Sequence, residues 1–289
     1  MLLSLTPVLN DARAKGYGVA AFNFVDYASL RAMVLAADAL KAPVIAQVSV
    51  KTVKLWGHAA IAAWAKQLAN EFPKTPFVLH VDHCSDLTFL KKCVEAGWTS
   101  VMYDGSALAF EENLKNTQDV LALATPKGVG VEAELGTIGG VEDDLHVKEG
   151  DARLADPVKA IEFCQRAKVA VFAPAIGTAH GVYKGEPKIA WDRLEAIAKG
   201  TGIPMALHGG TGLSDEVFLR CIKLGCVKLN ISTLIKYAFI DGFVDHHKAN
   251  PSEYEPVKVL TAQIAVMQTQ MRRYIALFGG ENKAEGIKA

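Results

Sequence analysis

The sequence predicts an α/β fold, a single (β/α)8 (TIM) barrel with a C-terminal helical extension, on three observations. Eight short apolar segments rich in Val, Ile and Ala alternate with stretches of helical period. No Pro- or Ser-rich linker divides the 289 residues, a length that single α/β barrels reach. Polar side chains recur at or just beyond the carboxyl ends of the apolar segments, the face on which such barrels build their sites. Near-continuous apolar strands need a parallel sheet covered on both faces, and alternating helices provide that cover.

The eight predicted strands span residues 18–24, 42–49, 77–83, 100–105, 129–136, 171–177, 204–210 and 227–232. Helical period marks residues 27–40, 58–71, 87–95, 111–123 and 215–223 between them. Asp156-Pro157 places an N-cap and a first-turn proline before a helix over 158–166. Gly97, Gly200 and Gly225 stand where helices should stop ahead of the next strand. The chain reads as one barrel domain over 1–289, with a helical tail from about 234 that covers the barrel base or pairs with another subunit.

Composition narrows the function classes. Hydrophobic residues make up 51% and charged residues 21%, enough for a sizeable core and against disorder. A formal net charge of zero without a basic block argues against nucleic acid or a membrane as partner. Five cysteines, an odd number with no C-x-x-C pair, fit reduced thiols in the cytoplasm. No signal peptide or membrane span is evident, so a soluble cytoplasmic protein is expected.

The polar residues at strand ends define the candidate site. His80-Val81-Asp82-His83 closes the third strand, where a carboxylate and imidazoles supply a proton carrier beside a metal ligand. His180 in Gly177-Thr178-Ala179-His180-Gly181 and His208 in Leu207-His208-Gly209-Gly210 come from other strands. Three neutral imidazoles leave a zinc ion its full charge and an open position for substrate, a catalytic arrangement. Asn23, Ser49, Asp104, Glu134 and Asn230 share the same face, while Glu132 is read as a brace for the barrel mouth. His58, His146, His246 and His247 lack this placement and are read as surface residues.

After the seventh strand, Gly209-Gly210-Thr211-Gly212 offers backbone N–H groups, as does Asn230-Ile231-Ser232-Thr233 after the eighth. These are the loops where barrels hold phosphate, and a helix N-terminus there adds a favourable dipole. The loop after Gly136 is long, with paired glycines Gly139-Gly140 followed by Glu142, Asp143 and Asp144, and reads as a lid.

In order along the chain, Leu79 to His83, Val131 to Gly136, Gly177 to Gly181, His208 to Gly212 and Lys228 to Ile231 resemble the class II, zinc-dependent ketose-bisphosphate aldolases. The resemblance implies that His83, His180 and His208 hold the catalytic Zn²⁺, and that Asp82 exchanges a proton with the C4 hydroxyl. It implies that Glu142 handles the C3 proton and that Asp104 and Glu134 form a second metal site. Asn23, Ser49, Gly181, Lys184, Gly209, Gly210, Thr211, Asn230, Ile231, Ser232 and Thr233 would bind the phosphorylated sugar. Carbonyls of Ala179, Gly181 and Gly209 would bind Na⁺ or K⁺, and a homodimer or homotetramer is the family-level expectation.

Two positions depart from the family pattern. Val257 stands where bisphosphate enzymes commonly carry an arginine for the distal phosphate, and Ser232 where fructose enzymes typically carry an aspartate, although Lys184 resembles the fructose enzymes. Losing a bidentate phosphate donor is not neutral, so the ketose 1-phosphate half is better supported than the distal substituent. The expected reaction is reversible cleavage of a ketose 1-phosphate to dihydroxyacetone phosphate and an aldehyde. A 6-deoxy, 6-sulfo or acid-sugar substrate is the alternative to a bisphosphate. Schiff-base cleavage through Lys228 and a non-catalytic barrel subunit are the competing readings.

Overall fold

A computed structural model describes residues 1–142, 145–147, 153–183 and 185–287, the side chains of 141–147 excepted. The barrel strands are β1 (Val19–Asn23), β2 (Val44–Ser49), β3 (Phe77–Cys84), β4 (Ser100–Tyr103), β5 (Gly130–Leu135), β8 (Val171–Pro174), β10 (Met205–Leu207) and β11 (Cys226–Ile231). They close in the order β1-β11-β10-β8-β5-β4-β3-β2, with all neighbours parallel. Three further strands, β6 (Gly139–Glu142), β7 (Leu145–Val147) and β9 (Ala179–His180), form a small sheet of their own in the order β7-β6-β9.

The helices are α1 (Leu5–Lys15), α2 (Tyr27–Ala39), α3 (Val50–Trp56), α4 (His58–Glu71), α5 (Leu87–Glu95), α6 (Phe110–Ala124), α7 (Pro157–Ala167), α8 (Trp191–Thr201), α9 (Asp215–Lys223), α10 (Thr233–Ala249) and α11 (Pro256–Leu277). Their starts follow the capping logic of short polar side chains. Asp26 and Ser29 form a reciprocal capping box on α2, and the expected Asp156 cap accepts from the Lys159 amide at 3.0 Å. The Gly97 and Gly225 stops hold, both at positive φ. Gly200 does not: it lies inside α8, where a Cβ would collide with Ile161, and the left-handed stop is Gly202 at φ 65°.

Periodicity did not expose α1, because its outward positions are Asn10, Asp11, Arg13 and Lys15 and its inward ones only Leu5, Val8, Leu9 and Ala12. Those four pack beneath the strands with Val19, Ala21, Ile45, Val78, Val171 and Ala173, forming a second core at the base of the barrel. The larger core lies between strands and outer helices. The tail helix α11 packs on α10, α2 and β1, so it flanks the barrel, and Gly18 N–H donates to the carbonyl of Phe278 just beyond it at 2.8 Å. Base cover is therefore shared by α1 and Ile287. Tyr254 and Val257 remain 91% and 65% exposed on the outer side of this tail.

Strand alternation sorts the barrel interior into layers. Above the apolar base come Gln47, His80, Ser100, Glu132 and Lys228, each 0% exposed. Two residues further along the same strands come Ser49, Asp82, Glu134 and Asn230 at the mouth. Polarity inside the barrel rises from base to mouth. Among the described residues all five cysteines are free and buried, and no helix is long and apolar enough to cross a membrane.

Candidate active site

Asp82 and His83 are sequence neighbours, and a regular strand would aim them to opposite faces. Pairing of β3 with β4 runs through Val81↔Val101 and resumes at Cys84↔Tyr103, so β3 carries one extra residue. That bulge re-aims the chain, and His83 takes a left-handed φ of 43° to complete it. A non-glycine residue held there costs free energy that the surrounding contacts must offset, a condition typical of functional positions. Both side chains thereby belong to the barrel mouth.

His83, His180 and His208 converge. One ligand nitrogen from each lies within 4.8 Å of the others, and the ring centroids are 4.9, 4.6 and 6.0 Å apart. His83 Nε2 and His208 Nδ1 approach to 2.8 Å. A tetrahedral zinc with Zn–N of about 2.0–2.1 Å separates its ligand nitrogens by about 3.4 Å, so a small outward shift of these rings would accommodate it. His83 Nδ1 meets Asp104 Oδ2 at 2.8 Å, and His208 Nε2 meets Glu132 Oε1 at 2.8 Å. Carboxylates accept, so both rings direct their other nitrogen to the common centre.

The electrostatics favour a cation there. Burial opposes a charged His83 ring, yet Asp82, Asp104 and Glu134 together raise its pKa well above the ordinary value. Burial, with the neighbouring His83 and Lys228, pushes the pKa of His208 the other way, which favours the neutral form that ligates a metal. The donor set of three imidazoles backed by carboxylates fits zinc.

Asp82 is 2% exposed. Its Oδ2 accepts from Gln47 Nε2 at 3.0 Å and Asn23 Nδ2 at 3.3 Å. Burial works against its anion, but His83, Lys228 and His208 with the Asn23 amide hold its pKa below the usual carboxylate range. Its Oδ1 is buried without a hydrogen-bond partner among the described residues, an acceptor open to a donor entering the barrel mouth. Gln47 escaped the sequence reading; the signal was a lone amide two residues before Ser49 in an otherwise apolar strand.

Asp104 and Glu134 also approach His83, and ligand atoms of the three lie within 4.8 Å of one another. Burial and the Asp104 charge push Glu134 well above the ordinary carboxyl range. Burial opposes the Asp104 anion too, but the hydrogen bond from His83 and the Ser106 contact hold it low. In this arrangement Asp104 orients His83.

A pocket beside the histidines is lined by His180, Gly181, Gly209, Gly210, Thr211, Asn230, Ser232 and Thr233. It brings together every predicted phosphate-side residue except Lys184, which lies outside the described residues, and Ile231, which points to the outer core. The N-terminus of α10 opens on this pocket at Thr233, with Ser232 as the preceding residue. First-turn N–H groups and the helix dipole favour an anion. Asn23 and Ser49 sit elsewhere at the mouth: Asn23 on Asp82 and Gln47, Ser49 as the cap of α3. Of the carbonyls read as cation ligands, that of Gly209 accepts from Tyr183 Oη at 2.7 Å, and the same hydroxyl accepts from Ala179 N–H at 2.9 Å. Tyr183, unseen in the sequence, therefore stitches the loops that carry His180 and His208.

The lid reading gains a strand. β6 pairs with β9 through Gly139↔Ala179 and Gly140↔His180, tying the predicted lid to a histidine of the site. The side chains of Glu142 and His146 lie outside the described residues. His58 is not a surface residue: its ring packs on Phe89 at 4.4 Å, and its carbonyl accepts from Trp98 Nε1 at 3.0 Å. His246 is half-buried as well, while His247 is exposed and stacks on Phe243.

The sequence profile of the family described as fructose-bisphosphate aldolase class-II matches residues 3–283. The chain belongs to this family. As a class II aldolase it is a carbon–carbon lyase. It is 40% identical over 286 residues to a probable fructose-bisphosphate aldolase of Bacillus subtilis (strain 168), covering 98% of this chain and 99% of that one. It is 38% identical to the sulfofructosephosphate aldolase of Alkalicoccus urumqiensis, covering 96% of each. It is 36% identical to the 6-phospho-5-dehydro-2-deoxy-D-gluconate aldolase of Shouchella clausii (strain KSM-K16), covering 98% of this chain and 96% of that one. Among solved structures, the YdjI aldolase of Escherichia coli K12 superposes with a TM-score of 0.86 at 29% identity, covering 99% of this aldolase and 100% of that chain.

Proposed function

We propose that this aldolase uses Zn²⁺ to cleave a ketose 1-phosphate reversibly into dihydroxyacetone phosphate and an aldehyde. What carries the reading is the convergence of His83, His180 and His208 beside Asp82 Oδ1, next to a pocket that faces the N-terminus of α10. Zinc held by the three histidines would supply a Lewis acid that stabilises negative charge developing at the C2 carbonyl as C3–C4 breaks. Asp82 takes the proton of the C4 hydroxyl, which releases the aldehyde. Glu142 returns a proton to C3, so the two carboxylates serve different carbons. Gly181, Gly209, Gly210, Thr211 and the Asn230–Thr233 turn hold the phosphate, and the β6–β7 hairpin keeps water from the reacting carbon.

The distal substituent is read as other than the phosphate of a 1,6-bisphosphate. Val257 is 65% exposed at the start of α11 and brings no anion donor. Ser232 Oγ is buried without a hydrogen-bond partner among the described residues. Relatives of comparable identity carry names that specify sulfofructosephosphate and 6-phospho-5-dehydro-2-deoxy-D-gluconate, which supports variation of the aldehyde within the family. The test is a steady-state panel of fructose 1,6-bisphosphate, tagatose 1,6-bisphosphate and 6-deoxy or 6-sulfo 1-phosphates, with added Zn²⁺ and with chelator. Chelator-sensitive cleavage with the best kcat/KM on a non-bisphosphate is expected. A strong preference for either bisphosphate removes the distal-group reading, and chelator-resistant cleavage removes the zinc reading.

The Schiff-base alternative loses ground on geometry. Lys228 is 0% exposed, and its Nζ lies 2.9 Å from Glu132 Oε2 and 2.8 Å from Asn230 Oδ1. An amine so enclosed has no approach for a substrate carbonyl.

A further inference from the structure

The layer beneath the site holds charged groups that the mechanism above does not use. Glu132 and Lys228 are both 0% exposed at the centre of the barrel. Lys228 Nζ touches both Glu132 oxygens, at 2.9 and 3.2 Å. Glu132 Oε1 in turn lies 2.8 Å from His208 Nε2. His80, itself bonded through Nδ1 to Ser100 Oγ at 2.7 Å, places Nε2 3.5 Å from Glu132 Oε2. A buried ion pair seldom adds net stability over apolar packing, so its presence under a cluster of three histidines asks for another reason.

We propose that Glu132, locked by Lys228, is a positioning residue that fixes the ring orientation and tautomer of His208 and so sets the affinity of the three-histidine site for its metal. A carboxylate can only accept, so His208 Nε2 must carry the hydrogen and Nδ1 must present its lone pair to the site, where His83 Nε2 lies at 2.8 Å. Lys228 donates to Glu132 and Asn230 at once, which prevents the carboxylate from turning away. Asp104 plays the same part behind His83. Each of the two rings is thus bonded by a carboxylate, His83 by Asp104 just beyond β4 and His208 by Glu132 of β5. Partners of this kind behind a metal-ligating histidine are worth about 10–100-fold in metal affinity.

This inference rests on the metal-site reading above, and the test separates the two. Zn²⁺ affinity of wild type and Glu132→Gln is measured by competition with a chromophoric chelator, alongside the absorption spectrum of the Co²⁺ form and the ¹⁵N tautomer signature of His208. Glutamine keeps the shape, but Lys228 claims its carbonyl and leaves its NH₂ facing His208 Nε2, which imposes the opposite tautomer. A loss of about 10–100-fold in Zn²⁺ affinity is expected, with a changed Co²⁺ spectrum and loss of the Nε2–H signature. The double variant Glu132→Leu/Lys228→Met removes the acceptor without stranding a buried charge and is expected to lose affinity to a similar extent, so the test survives if the single variant does not fold. Either folded variant that holds Zn²⁺ within about threefold of wild type and keeps the His208 signature overturns the inference. Wild type that binds neither Zn²⁺ nor Co²⁺ refutes the metal reading itself.

Discussion

Asp82 is held by two amides on one oxygen and, among the described residues, has no partner on the other, which is what a base for a substrate hydroxyl needs. Replacing it with asparagine keeps the shape and removes the proton acceptor. Cleavage by Asp82→Asn is expected to fall about 10²–10⁴-fold with Zn²⁺ affinity retained, read by single-turnover kinetics and metal titration; an unchanged cleavage rate would revive the Schiff-base or non-catalytic readings. His83 makes a second prediction. Against the opposing effect of burial, three carboxylates raise its pKa, so a proton competes with a metal for this ring. Zn²⁺ uptake at pH 7 should therefore release a proton from this ring, and affinity should weaken further as pH falls. Calorimetry in two buffers of different ionisation heat measures that release, and its absence would contradict the charge assignment.

At the scale of elements, the β6–β9 pairing depends on Gly140, whose φ is 101° and whose added Cβ would collide with the His180 carbonyl. Gly140→Ala should separate the hairpin from the strand that carries His180, at a local cost of about 1–3 kcal/mol. Faster hydrogen exchange at the amides around His180, with little change in barrel amides, is the expected readout; unchanged exchange would show that the two move independently. Much of this level was legible in the chain. Helices over 58–71, 87–95 and 215–223 match α4, α5 and α9 residue for residue; for α5 and α9 the periodicity coincides with Asp86 and Ser214 as caps. The bulge that turns Asp82 and His83 to one face was not legible, since it arises from the register of β3 on β4. Gln47, Glu132 and Lys228 each stand two residues before a recognised site residue on the same strand face. That spacing was present in the sequence, but only the closed barrel shows that those positions form one layer. Tyr183 had no such signal, because its bonds join loops that only the fold brings together.

Across the whole molecule, the division into an apolar base, a charged middle layer and a ligating mouth separates stability from chemistry. Leu9 of α1 is 0% exposed in the base core, and its truncation to alanine should cost about 2–5 kcal/mol without altering Zn²⁺ affinity of the folded protein. Chemical denaturation and metal titration on the same sample check both halves; a change in metal affinity at constant fold would mean that base and mouth are coupled. The zinc centre is the claim on which the rest depends, because Asp82, the phosphate pocket and the Glu132–Lys228 support are all placed relative to it. Anomalous diffraction at the zinc edge from Zn²⁺-soaked crystals tests it directly. A strong peak within about 2.0–2.1 Å of ring nitrogens from His83, His180 and His208 is expected. A peak bound by none of these rings, or no peak in crystals that hold zinc at full occupancy elsewhere, would contradict it.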